Sequence, residues 1–209
     1  MEQKTINQFI SELSSDAPVP GGGGASALAA SMGLALGSMV ANLTSGKKKY
    51  ADVQEEIEAL IKQTEELSKE LLSYMEKDAR AFEPLSRAYG LPRSTEEEQK
   101  KRDEIMEECL LVASRVPLEL MEKIAEGLKL LERLGEIGTR IAISDVGVGA
   151  QMAKAALSGA SLNVFINTRL MKERQKAEEL NQRAMELIRQ GNEMADKIFE
   201  QVLSAVTAH

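Results

Sequence analysis

The chain has 209 residues, 43% hydrophobic, 28% charged and 3% aromatic, so it is long enough to bury one sizeable core, and a single domain over residues 1–209 is expected. Its 26 basic and 33 acidic residues leave a formal charge of -7, which opposes a nucleic-acid backbone, and few rings are available to stack on bases. A single cysteine, Cys109, excludes an intramolecular disulfide and a cysteine metal cluster, which fits the reducing cytoplasm.

The first segment carries Glu2 and Lys4 rather than an apolar leader, so export is not expected. Ile6, Phe9, Ile10 and Leu13 then have helical spacing, with Thr5 placed to cap. Pro18 and Pro20 favour extended backbone, and Gly21, Gly22, Gly23 and Gly24 follow, permitting dihedrals closed to other residues. From these glycines a charge-free helix of small residues is predicted to run to about Thr44. Its segment Ala25 to Leu43 is just long enough to cross a membrane, but Ala, Gly and Ser make it poorly apolar, and a buried core helix is the expectation. Within it Ala29, Gly33, Gly37 and Ala41 form a stripe that lets another backbone approach closely.

Ser45 and Gly46 end that helix. A long one follows from about Tyr50 to Ala88, with Pro84 expected to kink or shorten its last turns. Thr95 and Glu98 form a capping box for a fourth helix, about Glu96 to Leu134, which Pro117 should bend. Ser144 is expected to cap a shorter helix from Asp145 to Leu157, and Ser158 to Ser161 to lead into a last one reaching Val206. The fold class is therefore all-α, a bundle of about six helices around the central small-residue helix.

The sole histidine, His209, is the terminal residue and should fray, which removes histidine catalysis and histidine metal ligation. No metal site is expected, and acid–base work falls to Asp, Glu, Lys, Tyr or water. The Gly21 to Gly24 turn presents amides at a helix N-terminus, suited to an anion, or is simply a flexible helix entry. It has neither the preceding strand of a dinucleotide site nor the Gly-Lys-Ser/Thr of a P-loop. Lys47, Lys48 and Lys49, followed by Tyr50, either compensate a helix dipole or cradle carboxylates. Tyr74, Asp78 and Phe82 share one helix face, where Asp78 is either paired at the surface or raised in pKa between rings. Asn163 and Asn167, one turn apart among apolar residues, must bond either backbone or a ligand, and Ser144-Asp145 is a cap or a functional pair.

Taken in order, Pro-x-Pro-Gly-Gly-Gly before a small-residue helix, Met39 to Thr44 with Asn42, Gly46-Lys-Lys-Lys-Tyr50, Asp78-x-x-Ala-Phe82, Pro117, Ser144-Asp145 and Asn163-Val-x-x-Asn167 resemble the folate cyclodeaminase and cyclohydrolase family over nearly the whole chain. The resemblance implies a helical, homodimeric, cytoplasmic enzyme acting on tetrahydrofolate that carries a one-carbon unit between N5 and N10. It implies no metal and no cofactor beyond that substrate, and neither nucleic acid nor membrane as partner.

The expected reaction is hydrolysis of 5,10-methenyltetrahydrofolate to 10-formyltetrahydrofolate, since the chain has no room for a fused formiminotransferase. The alternative is release of ammonia from 5-formiminotetrahydrofolate, and a rival from another class is a non-catalytic folate-binding module. The resemblance makes Asp78 the catalytic carboxylate, with Asp145 second and Tyr50 or a lysine of the triplet a proton donor. It makes Gly21 to Gly24, Asn42, Asn163 and Asn167 folate contacts and Lys47 to Lys49 the attraction for the glutamyl tail. In Gly23-Gly24-Ala25-Ser26 an extra glycine occupies a place where the family commonly has serine. The glycine turn, Asp78 and the lysines are expected to lie close together, within one subunit or across a pairing of two.

Overall fold

The computed structural model describes residues 4–208, and within them every regular element is helical. Six α-helices form: α1 (Ile6–Leu13), α2 (Gly22–Thr44), α3 (Gln54–Ala88), α4 (Glu96–Ile137), α5 (Ile143–Thr168) and α6 (Arg174–Thr207), with 3-10 turns at Lys48–Val53 and Arg140–Ala142. His209, expected to fray, lies outside the described residues. Both capping residues act as their sequences predict. The Thr5 hydroxyl accepts the Gln8 N–H at 3.2 Å while Gln8 accepts the Thr5 N–H, and Thr95 and Glu98 make the same reciprocal pair.

Other boundaries differ from expectation, each for a local reason. The third helix opens with the 3-10 turn, so its α-helical part begins at Gln54 rather than Tyr50. Pro84 does not shorten it: Pro84 lies on the exposed side, where solvent can serve the carbonyl deprived of its N–H, and α3 continues to Ala88. α4 passes through Pro117 and extends beyond Leu134 to Ile137, where Gly138 caps it.

The break expected at Ser158 to Ser161 is absent. Gly159 sits inside α5 because a Cβ there would lie 2.7 Å from Ser26 Oγ, so the small residue serves helix contact rather than a turn. The chain turns instead over residues 169–173. Glu107, from α4, accepts the Lys172 and Glu173 N–H groups at 2.6 and 3.0 Å, and Arg174 donates to the Thr168 and Met171 carbonyls. Ser144 is exposed in the first turn of α5 and does not cap it; Ala142 holds that position.

Successive helices from α2 to α6 run antiparallel. Ser31 and Ser68 exchange hydroxyl and carbonyl bonds of 2.9 to 3.0 Å between α2 and α3. Arg133 is bonded to Glu56 between α4 and α3, and Lys154 to Asp196 between α5 and α6. The small-residue stripe of α2 is spent inside the chain. A Cβ on Gly33 would come within 2.8 Å of the Gly149 carbonyl of α5, and one on Gly37 within 2.8 Å of Leu131 of α4. That closeness is the packing that minimal side chains allow. α2 is long and apolar enough to cross a membrane by length and composition, yet 56% of that window is buried in the bundle.

The side of α2 turned outward carries Met32, Met39 and Leu43, all exposed, and neighbouring α5 exposes Val148, Leu162 and Ile166. Spacings of seven and four residues in α2, and of fourteen and four in α5, keep each set on one face. Two adjacent helices thus present one apolar surface.

Candidate active site

The start of α2 meets α3 at Asp78. Gly21 precedes the helix with extended backbone and offers no side-chain cap. The carboxylate of Asp78 takes that place, accepting the Gly24 N–H. A Cβ on Gly23 would lie 2.2 Å from Asp78 Oδ1 and 2.6 Å from Oδ2. None of Gly21 to Gly24 has positive φ; among the described residues only Gly46 does, at 75°. Gly23 is therefore needed for space rather than for an unusual dihedral, whereas a Cβ at Gly21, Gly22 or Gly24 would meet open space or ordinary contact. An anion at the helix N-terminus is supplied by the chain itself.

Burial pushes the Asp78 carboxyl up to about 6, and the Gly24 N–H pulls it back only in part. No cation pairs with it among the described residues, and a desolvated carboxylate without a counter-charge retains its proton more readily. Beside it lies a cavity of about 220 Å³ whose lining includes Pro18, Val19, Gly22, Phe82, Asn163 and Asn167. Asn163 donates to the Gly159 carbonyl at 3.1 Å. Asn167, 7% exposed, donates to the carbonyls of Ala113 and Asn163, each at 2.9 Å. Both asparagines satisfy their donors on backbone. Their Oδ1 atoms accept no hydrogen bond among the described residues. With Asp78 they make the polar part of the cavity a set of acceptors against apolar walls, suited to a flat ligand rich in N–H groups or positively charged.

Phe82 joins this cavity as its place on the Asp78 face implies, whereas Tyr74 does not. Tyr74 is buried in the core, with the Lys77 ammonium 4.0 Å from its ring centroid. Burial, then Glu119 and Glu70, raise its phenol to about 12.

The remaining expected residues gather at the other end of the bundle. α2 spans 23 residues, so roughly 33 Å separates its glycine start from the lysines after its end. There Lys47 donates to Thr139 Oγ1 at 3.1 Å, and the Tyr50 phenol oxygen accepts the Arg140 N–H at 3.3 Å. Asn42 is exposed and donates to the Ser38 carbonyl at 2.9 Å, and Asp145 occupies the first turn of α5. Lys48 and Lys49 are exposed, the latter 5.6 Å from the Tyr50 ring centroid. Within one chain the structure brings the glycine turn, Asp78, Asn163 and Asn167 together, and places Asn42, Lys47 to Lys49, Tyr50 and Asp145 at the opposite end.

Pro18, Val19 and Ala113 are cavity walls, and Thr139 and Arg140 partners of Lys47 and Tyr50, that the sequence does not mark as functional. Pro18 and Val19 had a signal in their proximity to the glycines. Thr139 had none, since its partners are distant in sequence. Among the described residues no group of three or more His, Cys, Asp or Glu is arranged to hold a metal ion.

A family model described as formiminotransferase-cyclodeaminase matches residues 5–186. The chain is 39% identical over 203 residues to the methenyltetrahydrofolate cyclohydrolase of Methylorubrum extorquens, covering 97% of this chain and 98% of that protein. It is 32% identical over 200 residues to the formimidoyltransferase-cyclodeaminase of Gallus gallus, covering 94% of this chain but 37% of the longer protein. The solved structure of a formiminotetrahydrofolate cyclodeaminase from Thermotoga maritima superimposes with a TM-score of 0.87 at 27% identity, with 98% of each chain covered.

Proposed function

The chain belongs to the formiminotransferase-cyclodeaminase family, and from that premise we propose that it hydrolyses 5,10-methenyltetrahydrofolate to 10-formyltetrahydrofolate. The observation that carries this reading is the partly buried Asp78, raised to about 6 and lacking a cationic partner in a cavity lined by acceptors. The methenyl compound supplies what that cavity lacks: a delocalised cation between N5 and N10 beside a ring with amino and N–H donors. Binding the cation offsets the desolvation of the carboxylate.

In the reaction water attacks the amidinium carbon, a C–O bond forms, and Asp78 accepts the proton released. Asp78 passes that proton to solvent, the carbinolamine O–H gives up its proton to the carboxylate as the C=O forms, the C–N5 bond breaks with its electron pair passing to N5, and a proton donor protonates that nitrogen. The formyl group is left on N10. A base whose pKa lies near the working pH suits the first step. The substrate is the tetrahydrofolate derivative itself, and the proposal invokes no metal or further cofactor.

The proton donor comes from a second copy of the chain. The exposed apolar side chains of α2 and α5 form a surface on which α2 contributes no charged residue, and a homodimer buries it. A two-fold axis parallel to the helices would join like ends of the bundle. An axis perpendicular to them joins unlike ends, bringing the partner's Tyr50 and the partner's Lys47 to the mouth of the Asp78 cavity. Charge complementarity favours this second arrangement: the lysine triplet then faces a carboxylate site and the folate's glutamyl tail, rather than another lysine triplet.

The alternative activity, expulsion of ammonia from 5-formiminotetrahydrofolate, passes through the same tetrahedral carbon with N10 as nucleophile. Purified protein mixed with each compound separates the two: decay of the methenyl absorbance is expected for hydrolysis, and ammonia release for deamination. The proposal expects methenyl decay well above the buffer rate. Turnover of neither compound would contradict it and leave a binding module.

A further inference from the structure

Thr139 follows Gly138 at the end of α4 and is 2% exposed. It is held there by its own N–H, which donates to Thr44 Oγ1 at 2.8 Å, while the Thr44 hydroxyl donates to the Val40 carbonyl at 2.7 Å. Gly138 lets the turn lie close, since a Cβ there would come within 2.4 Å of the Leu134 carbonyl. The Thr139 hydroxyl accepts from the Lys47 ammonium at 3.1 Å and lies beside the Tyr50 phenol, which it helps to hold below its ordinary pKa. That oxygen also accepts the Arg140 N–H at 3.3 Å. A phenol has two acceptor sites and one donor. The Arg140 N–H fills one acceptor site, and the Thr139 hydroxyl and the lysine charges favour electron density on the oxygen, so the O–H is left to donate outward.

We propose that Thr139 is a positioning residue that fixes Lys47 and Tyr50 as one unit and commits the Tyr50 phenol to donating a hydrogen bond or proton to the substrate. This rests on the reading of the preceding section, in which Tyr50 meets the substrate held by a partner subunit. The electrostatics agree: burial raises the phenol, but the hydrogen bonds from Thr139 and the Arg140 N–H, with the charges of Lys49 and Lys47, outweigh it and leave the phenol below its ordinary value. A phenol easier to ionise is a better donor to a departing amine nitrogen.

The test compares Thr139→Val, which keeps the shape and loses the hydroxyl, with Thr139→Ser, which keeps the hydroxyl. Tyr50 ionisation is followed by ultraviolet absorbance as the difference between each protein and the same protein carrying Tyr50→Phe. The expected result is that Thr139→Val moves the phenol titration to higher pH, lowers kcat at least about tenfold and carries the alkaline limb of the kcat profile in the same direction, while Thr139→Ser restores all three. A titration unchanged in Thr139→Val, or a serine variant that behaves like valine, overturns the assignment. The titration needs no turnover, so a protein inactive on both folates would sink the functional reading while leaving the positioning role decided on its own.

Discussion

Asp78→Asn is expected to lower kcat by at least about 100-fold on whichever folate the chain turns over, and at the same time to make the protein more stable at neutral pH. The first effect follows from removing a group that accepts the proton of the attacking water and balances the substrate's cation; acid or base removal of this kind costs on the order of 10²- to 10⁴-fold. The second follows from burial. In the folded chain the carboxyl sits at about 6 against an ordinary 3.8, so the native state holds this proton more tightly than the unfolded state. The contribution of Asp78 to stability is fully present below pH 4 and is lost as pH rises through 6. Above that, ionisation burdens the fold by at most about 3 kcal/mol. Asparagine keeps the shape and cannot ionise. Thermal melts of the two proteins should coincide near pH 4 and separate by pH 8, with the variant higher. A variant that is less stable at pH 8 would mean that Asp78 has a cationic partner in the folded protein.

Gly23→Ala should produce a loss of comparable kind without touching the carboxylate's chemistry. The added methyl group would sit 2.2 to 2.6 Å from the Asp78 carboxyl atoms, far inside contact distance, so the carboxylate must swing away from the start of α2. Alanine is otherwise the better helix residue by up to about 1 kcal/mol, and Gly23 has ordinary helical backbone, so the fold should tolerate the change. The expected result is a fall in kcat of at least about tenfold with a thermal midpoint near that of the parent. Parental activity in this variant would show that the carboxylate need not stand where the structure holds it.

These two residues illustrate what the sequence made legible. Asp78 was identified from the Asp-x-x-Ala-Phe pattern, and its neighbourhood with the glycines, Asn163 and Asn167 follows from antiparallel α2, α3 and α5 meeting at one end. The capping boxes at Thr5 and Thr95 are local chemistry and read directly. The reason for the glycines was not legible. Four in a row suggest backbone freedom, and only the packing against Asp78 reveals that Gly23 is needed for room. The same ambiguity misplaced the last turn: Gly159 looks like punctuation but serves a contact with α2, whereas the real turn is fixed by Glu107, some 65 residues earlier. The small-residue stripe announced a close backbone neighbour without saying which; Gly33 and Gly37 are used against α5 and α4, and the outward face is the Met and Leu one beside it. Local patterns carried the elements; side chains distant in sequence decided where they end and which face remains open.

One catalytic centre is proposed to join the Asp78 cavity of one subunit to the partner's Lys47 and the partner's Tyr50. A mixing experiment between two damaged proteins, Asp78→Asn and the double variant Lys47→Met with Tyr50→Phe, tests this shared centre. Each alone should be at least about tenfold less active than the parent. After equal amounts are allowed to exchange subunits, half of the dimers carry one undamaged site, and the mixture should regain about a quarter of the parental activity. A mixture that exchanges subunits yet stays no more active than the average of its components would contradict the shared centre.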